Sequence, residues 1–184
     1  VVIIGAGIVG LATAKHILEQ RPDLRLRIVD KESGPAAHQT GHNSGVIHSG
    51  VYYRPGSQKS LHCRAGKLKL EAYCEKKGIA WKRSGKLIVA TDDSQIPELR
   101  ALESRAEANG VVHRWLSQDE VKDFEPHVQS VAALSIPEAG VVNYSDVCNA
   151  LVEDLKSLGA ALQYATRIDG CRETETEIEL VAAE

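Results

Sequence analysis

Three glycines, Gly5, Gly7 and Gly10, punctuate the stretch VVIIGAGIVGLATA, directly after an apolar run and at the head of a helical pattern. Each has a physical task. Gly5 allows a tight turn, Gly7 lets a pyrophosphate approach the backbone, and Gly10 lets helix and strand pack closely. The helix N-terminus supplies free N–H groups and a partial positive charge for phosphates. Asp30 stands twenty residues beyond Gly10, where a carboxylate accepts from ribose hydroxyls, with Lys31 beside it as a further contact. A bare GxGxxG says little. Here strand, glycines, helix, second strand and acid follow in order, which points to a dinucleotide, and NAD and FAD both fit.

A second stretch, HQTGHNSGVIHSG at 38–50, concentrates His38, His42 and His48 among glycines and small polar residues. Three chemistries compete for it: a metal site, a flexible loop, or a cradle for a large polar ligand. No cysteine or carboxylate completes a ligand set within the loop, so no metal is expected. Gly41 and Gly45 permit close backbone approach, while Thr40, Asn43 and Ser44 offer hydrogen bonds without bulk. That favours the cradle. His48 lies between Val46-Ile47 and Val51 and has two readings, a hydrogen-bonded core histidine or a base.

The elements that must position these residues follow from hydrophobic period. VVII reads as a strand buried on both faces, and Ile8, Leu11, Ala12, Ala14, Ile17 and Leu18 fall largely on one helical face. LRLRIVD alternates as a second strand, so the first thirty residues form a βαβ unit with parallel strands. A loop runs from Lys31 to Gly56. Residues 57–77 predict a helix with Leu61, Ala65, Leu68 and Ala72 at three- and four-residue spacing, stopped by Gly78. KLIVA is a strand, and SQIPELRALESRAEANG a helix with Ser94 as N-cap and Asn109-Gly110 at its end. Ser117 to Glu120 has capping-box spacing. VAALSIP and GVVNY read as strands, SDVCNALVEDLKSLGA as an amphipathic helix, and ALQYATRID and TEIELVAA as strands. The expected organisation is α/β: a Rossmann-like nucleotide-binding domain at 1–78, an inserted β-rich substrate lobe at 79–140, and a return to the first domain at 141–184.

Bulk properties narrow the functional classes. A chain of 184 residues with 43% hydrophobic content can bury a real core, and a formal charge of −3 leaves no basic footprint for nucleic acid. No apolar run approaches a membrane span, which leaves peripheral membrane association open. Cys63, Cys74, Cys148 and Cys171 are far apart and are expected to be reduced, mostly buried thiols. The sequence holds no methionine and starts inside an apolar run, so it is expected to be a fragment.

Together, VVIIGAGIVGLATA, HQTGHNSGVIHSGVYYRPGS and VVNYSDVCNALVEDLKSLGA resemble the L-2-hydroxyglutarate dehydrogenases/oxidases, FAD enzymes of the D-amino-acid-oxidase-like superfamily. The resemblance spans the whole chain and about the first half of such a protein. It implies that Gly5, Gly7, Gly10 and Asp30 hold the ADP half of FAD, and that residues 40–44 reach toward the flavin. It implies oxidation of L-2-hydroxyglutarate to 2-oxoglutarate, with the C2 hydride passing to flavin N5 and a base taking the hydroxyl proton. His48 and His42 are the candidate bases, and Tyr52, Tyr53 and Arg54 candidates for the substrate side. Arg83 and Lys86 offer charge for a dicarboxylate or are plain surface cations. Glycerol-3-phosphate dehydrogenases follow a similar loop with an arginine for phosphate; Tyr52 stands there in this chain, which argues against a phosphate substrate. The expected electron acceptor is oxygen or a quinone. The location implied is cytoplasmic, or peripheral to the inner membrane, in a bacterium and mitochondrial in a eukaryote. Alternatives are an amine, amino-acid or glycerol-3-phosphate oxidoreductase of the same superfamily, or a non-catalytic NAD(P)-binding module.

Overall fold

A computed structural model describes residues 1–183. In chain order the elements are β1 (Val2–Ile4), α1 (Ile8–Gln20), β2 (Arg27–Val29), β3 (Val46–Ile47), α2 (Gln58–Lys77), β4 (Trp81–Lys82), β5 (Lys86–Ala90) and α3 (Ile96–Ala108). There follow β6 (Arg114–Ser117), α4 (Gln118–Phe124), β7 (Ala132–Ile136), β8 (Gly140–Val142), α5 (Tyr144–Ser157), β9 (Ala161–Gln163), β10 (Ile168–Glu173) and β11 (Ile178–Ala182). Contacts divide the chain into two compact units, one joining Val1–Ser44 to the segment from Asn143 onward, the other Gly45–Val142. Sequence pattern puts the first domain boundary at residue 78. In the structure α2 is part of the second unit, because its side chains pack and pair within that unit.

The first unit has the expected βαβ order, but β1 is not buried on both faces: Val2 and Ile4 are 46% and 60% exposed. β1 and β2 are parallel, with Ile3 opposite Ile28, and β9 adds in parallel on the far side of β2. α1 buries Leu11, Ala14 and Leu18 and packs with α5, which buries Val147, Cys148, Leu151, Val152 and Leu155. Asn143 caps α5 by accepting from the Ser145 N–H at 3.0 Å, so the GVVNY strand stops at Val142. The predicted strand ALQYATRID is two elements: β9 ends at Gln163, and Ile168 opens β10, which pairs antiparallel with β11.

The second unit is built on two three-stranded sheets, β3-β8-β4 and β5-β7-β6, with every pairing antiparallel. Strand period divides the second sheet into two faces. Ile88, Ala90, Leu134 and Ile136 share a core with Leu99, Leu102 and Ala106 of α3 and with Val51. Leu116 and Ala133 face the other way, with Leu87 and Val89 packed against them, and meet Val121 of α4. The Ser117–Glu120 capping box is present as read from sequence. Ser94 is not the cap expected of it. Asp92 caps the 3-10 turn Asp93–Gln95 by accepting from the Ser94 N–H at 2.9 Å, and α3 continues from that turn. A carboxylate two residues upstream offers the stronger acceptor.

Helix α2 turns the opposite way from its apolar spacing. Leu61 and Leu68 are 56% and 64% exposed, and Ala65 and Ala72 are exposed with them. The buried face carries Ser60, Lys67, Glu71 and Cys74. Two ionised groups enter the interior together because they pair there: Lys67 Nζ lies 2.8 Å from Glu71 Oε1 and 3.7 Å from Glu138 Oε2. Arg83 reaches Glu71 at 3.1 Å, and Arg64 reaches Glu138 at 2.5 Å. Buried charge is tolerable only with such compensation, and a period count cannot see a partner outside the helix.

Candidate functional site

The glycine turn of the first unit has the shape a pyrophosphate needs. Gly5 has φ +108°, a conformation that L side chains rarely adopt, and its N–H bonds to Val29 O at 2.8 Å. A Cβ on Gly10 would stand 2.1 Å from Gly5 O and 3.4 Å from Ile3, so this glycine lets α1 press onto the turn and onto β1. A Cβ on Gly7 would meet only Thr40 Oγ1, at 3.2 Å. Gly7 is also the N-cap of α1 and lacks a side chain to cap it, which leaves the helix terminus open to an anion. Thr40 accepts from the Ile8 N–H at 3.2 Å and thereby ties the histidine loop to that terminus.

Asp30 does more than stand at the end of β2. Its Oδ2 accepts from the Ala6 N–H at 2.5 Å and its Oδ1 from the Glu32 N–H at 2.9 Å. Each oxygen retains a lone pair for a ribose hydroxyl. A cleft of about 520 Å³ opens here, lined by Ile4, Gly5, Gly7, Asp30, Lys31, His38, Thr166, Arg167 and Ile168. Lys31 is 55% exposed on its rim, paired with Glu32 at 3.6 Å. Thr166 and Arg167 escaped the sequence reading. They arrive because the Thr166 N–H bonds to Asp30 O and the Ala165 N–H to Glu32 O, and no local motif announces that pairing.

The remaining loop residues are held largely by their own backbone. His38 pairs with Glu32 at 2.7 Å, which holds the Glu32 carboxyl below its usual range. His42 Nδ1 lies 2.9 Å from His38 O, and Asn43 donates to Gln39 O and Thr40 O. Ser44 is exposed and ends the leading segment of the first unit. The close approach at Gly41 and Gly45 is to the chain itself: added Cβ atoms would stand 2.3 Å from Ala36 O and 2.6 Å from Val142 O. Among the described residues no group of three metal-ligating side chains forms.

His48 opens a second cluster, in the other unit. Its ring is exposed at one side yet partly desolvated. Burial first, and the Lys86 ammonium second, push its pKa below the ordinary imidazole value. Lys86 Nζ sits 4.2 Å from the centre of the Tyr52 ring, itself 47% exposed. The segment between is clamped through its carbonyls. Cys63 Sγ donates to His48 O at 3.4 Å, Arg64 to Ser49 O at 3.4 Å, and Asn109 to Gly50 O at 3.1 Å and Tyr53 O at 2.9 Å. Asn109 is in turn fixed by Ser60 Oγ at 2.7 Å. Arg54 is exposed beyond the cluster. Arg83 is engaged with Glu71 and lies over Trp81. The structure thus gathers His48, Tyr52 and Lys86 and assigns Arg83 elsewhere.

The thiols are free. Cys74 and Cys148 are buried, and burial drives the Cys148 thiol up to about 11. Cys63 is partly buried and Cys171 is exposed.

The profile of the DAO family, FAD dependent oxidoreductase, matches residues 1–184. An L-2-hydroxyglutarate dehydrogenase of Escherichia coli (strain K12) is 43% identical over 172 residues, 94% of this chain and 41% of that protein. The mitochondrial L-2-hydroxyglutarate dehydrogenase of Homo sapiens is 42% identical over 163 residues, 88% of this chain and 35% of that protein. The chain therefore spans about two fifths of the length of the curated relatives it matches. Among solved structures, an FAD-bound L-alpha-glycerophosphate oxidase from Mycoplasma pneumoniae superposes with a TM-score of 0.88 at 25% identity, over 98% of this chain and 48% of that one. Glycine oxidase from Bacillus cereus shares the fold, with a TM-score of 0.82 at 21% identity over 99% of this chain and 50% of that one. No helix is long and apolar enough to cross a membrane among the described residues.

Proposed function

The chain belongs to the FAD-dependent oxidoreductase (DAO) family, and from that premise we propose that it serves the oxidation of L-2-hydroxyglutarate to 2-oxoglutarate. The observation that carries this reading is the 43% identity to the E. coli dehydrogenase across nearly the whole chain. The residues fit the cofactor. The open N-terminus of α1, the Gly7 face that meets only Thr40, and the adjoining cleft form a cradle for a pyrophosphate and ribose. Gly5, Gly7, Gly10, Asp30 and Lys31 would hold the adenosine diphosphate end. Thr40, Gly41, Asn43, Ser44 and Gly45 would follow the chain toward the ring. FAD, when bound, supplies the hydride acceptor.

The polypeptide must then orient the alcohol and remove its proton. His48 suits that task because a depressed imidazole pKa leaves the ring neutral and able to accept a proton at neutral pH. His42 is the alternate base. Tyr52, Tyr53 and Arg54 would face the substrate, and the anion would find positive charge at Lys86. Electrons pass on to oxygen or a quinone.

Anaerobic mixing of the flavin-loaded protein with L-2-hydroxyglutarate tests the reading: the flavin absorption should bleach. Bleaching by glycine or another amino acid instead would assign the chain to an amine-oxidising branch. Bleaching by glycerol 3-phosphate would favour the second reading, which the superposition on the glycerophosphate oxidase supports. A colourless protein that binds NAD would remove both.

A further inference from the structure

We propose that Lys86, seated on the ring of Tyr52 beside His48, is the cation that receives a carboxylate of the substrate and restricts the site to acidic hydroxy compounds. The inference rests on the reading of His48 as the base, and adds to it the group that selects the anion.

Among the second unit's cations that are not exposed, Arg64, Lys67 and Lys86, charge accounting singles out the last. Arg64, Lys67 and Arg83 share the carboxylates of Glu71 and Glu138. Lys86 lies near enough to this network to act, with Arg64, Lys67 and Glu138, on the Cys63 thiol. Yet among the described residues no carboxylate comes within ion-pair distance of it. Its contact is the Tyr52 ring, at 4.2 Å from the ammonium. A half-buried ammonium over an aromatic face gains some attraction but no neutralisation. The natural completion is an anion from outside the chain.

Strand register fixes where that ammonium stands. Lys86 opens β5 directly opposite Ile136, and so shares a face with Ile88 and Ile136. That is the face whose core includes Val51, the residue before Tyr52. Lys86 also borders a cleft of about 590 Å³, with Arg83, Leu87, Val89, Phe124 and Ser135. Strand alternation thus puts the Lys86 position on the face that carries Val51.

The arrangement couples binding to proton transfer. In the free protein the Lys86 charge disfavours the imidazolium form of His48. A carboxylate on Lys86 cancels much of that repulsion, so the ring becomes a better proton acceptor once the acid is in place. The other titratable or charged groups around the 48–50 segment are Cys63 and Arg64 on α2 and Glu138 after β7. Cys63 is held uncharged by burial, and Arg64 and Glu138 offset each other, which leaves Lys86 as the net field.

The test uses the flavin-loaded protein as wild type, Lys86→Gln, Lys86→Met and Lys86→Arg. Glutarate, which has no alcohol to oxidise, is titrated by the flavin absorption change, and the His48 ring is titrated by NMR. Glutarate should bind roughly 10–100-fold more weakly to the Gln and Met variants, the span of one charged hydrogen bond, with Arg recovering most of the loss. The His48 titration should move upward in both neutral variants, and glutarate should move it upward in wild type. Unchanged glutarate affinity in Lys86→Gln with retained flavin would overturn the proposal, as would absent glutarate binding in wild type. The substrate reading is judged separately. If wild type is not bleached by L-2-hydroxyglutarate that reading fails, whereas the glutarate and NMR titrations still decide Lys86.

Discussion

The Asp30 carboxylate accepts the Ala6 N–H at 2.5 Å, so the acid that closes β2 also braces the turn between β1 and α1. A hydrogen bond to a charged acceptor contributes about 1.5–3 kcal/mol, and Asp30 makes a second one with the Glu32 N–H. Asp30→Ala should therefore lower the stability of the flavin-free protein as well as its affinity for FAD. Asp30→Glu, which keeps the charge, should do markedly less of both. Urea unfolding and FAD titration read the two effects, and equal losses from the two variants would remove the carboxylate from both roles.

Two glycines of one motif should fail in different ways. The Cβ of Gly10→Ala meets Gly5 O at 2.1 Å, so overpacking should cost about 1–3 kcal/mol of stability or more. Gly7→Ala meets only Thr40 Oγ1 and should melt close to wild type, yet lose FAD, because its methyl occupies the phosphate side. Thermal melting of both apoproteins beside their flavin content separates the cases. A Gly7→Ala protein that holds FAD like wild type would remove the phosphate role.

For His48, replacement by alanine should slow flavin reduction roughly 10²–10⁴-fold, the range for a lost general base, while FAD content changes little. The sign of the pH dependence follows from its depressed pKa. The neutral ring is the active form, so the wild-type rate at low substrate, which reports the free protein, should persist below the usual imidazole range and fall only as pH drops through the depressed value. His48→Ala should lack that ionisation. His42 is bound to His38 O, and His42→Ala should be the milder variant. Rapid mixing without oxygen measures both, and a defect confined to His42→Ala would transfer the role to that residue.

Arg64 and Glu138 hold the segment that carries His48. Arg64 donates to Ser49 O, Gly110 O and Glu138, while Glu138 accepts the Val112 N–H at 3.2 Å. Glu138→Ala leaves Arg64 unpaired and Lys67 with Glu71 alone, a loss of up to about 3–5 kcal/mol for a broken buried pair. Arg64→Lys keeps the charge but loses the forked reach, and should slow flavin reduction more than it lowers the melting temperature. A rate unaffected by Arg64→Lys would separate the clamp from the chemistry.

Sequence alone determined the elements whose rules are local. Hydrophobic period and glycine spacing marked β1, α1 and β2 and the open N-terminus, because a turn with positive φ and a helix pressed on a strand leave only glycine at Gly5 and Gly10. The Ser117–Glu120 box was equally readable, since donor and acceptor lie within one helical turn. Helix α2 was located correctly but faced the wrong way. Its buried stripe is charged, and the groups that make burial tolerable, Glu138 and Arg83, come from distant segments. The same reason hid Thr166 and Arg167, which hydrogen bonds at Asp30 O and Glu32 O bring to the cleft beside Asp30. It also explains Lys86 and Arg83, which look alike in sequence. Only strand register and the supply of counter-charge engaged Arg83 with Glu71 and left Lys86 over Tyr52, without a carboxylate of its own.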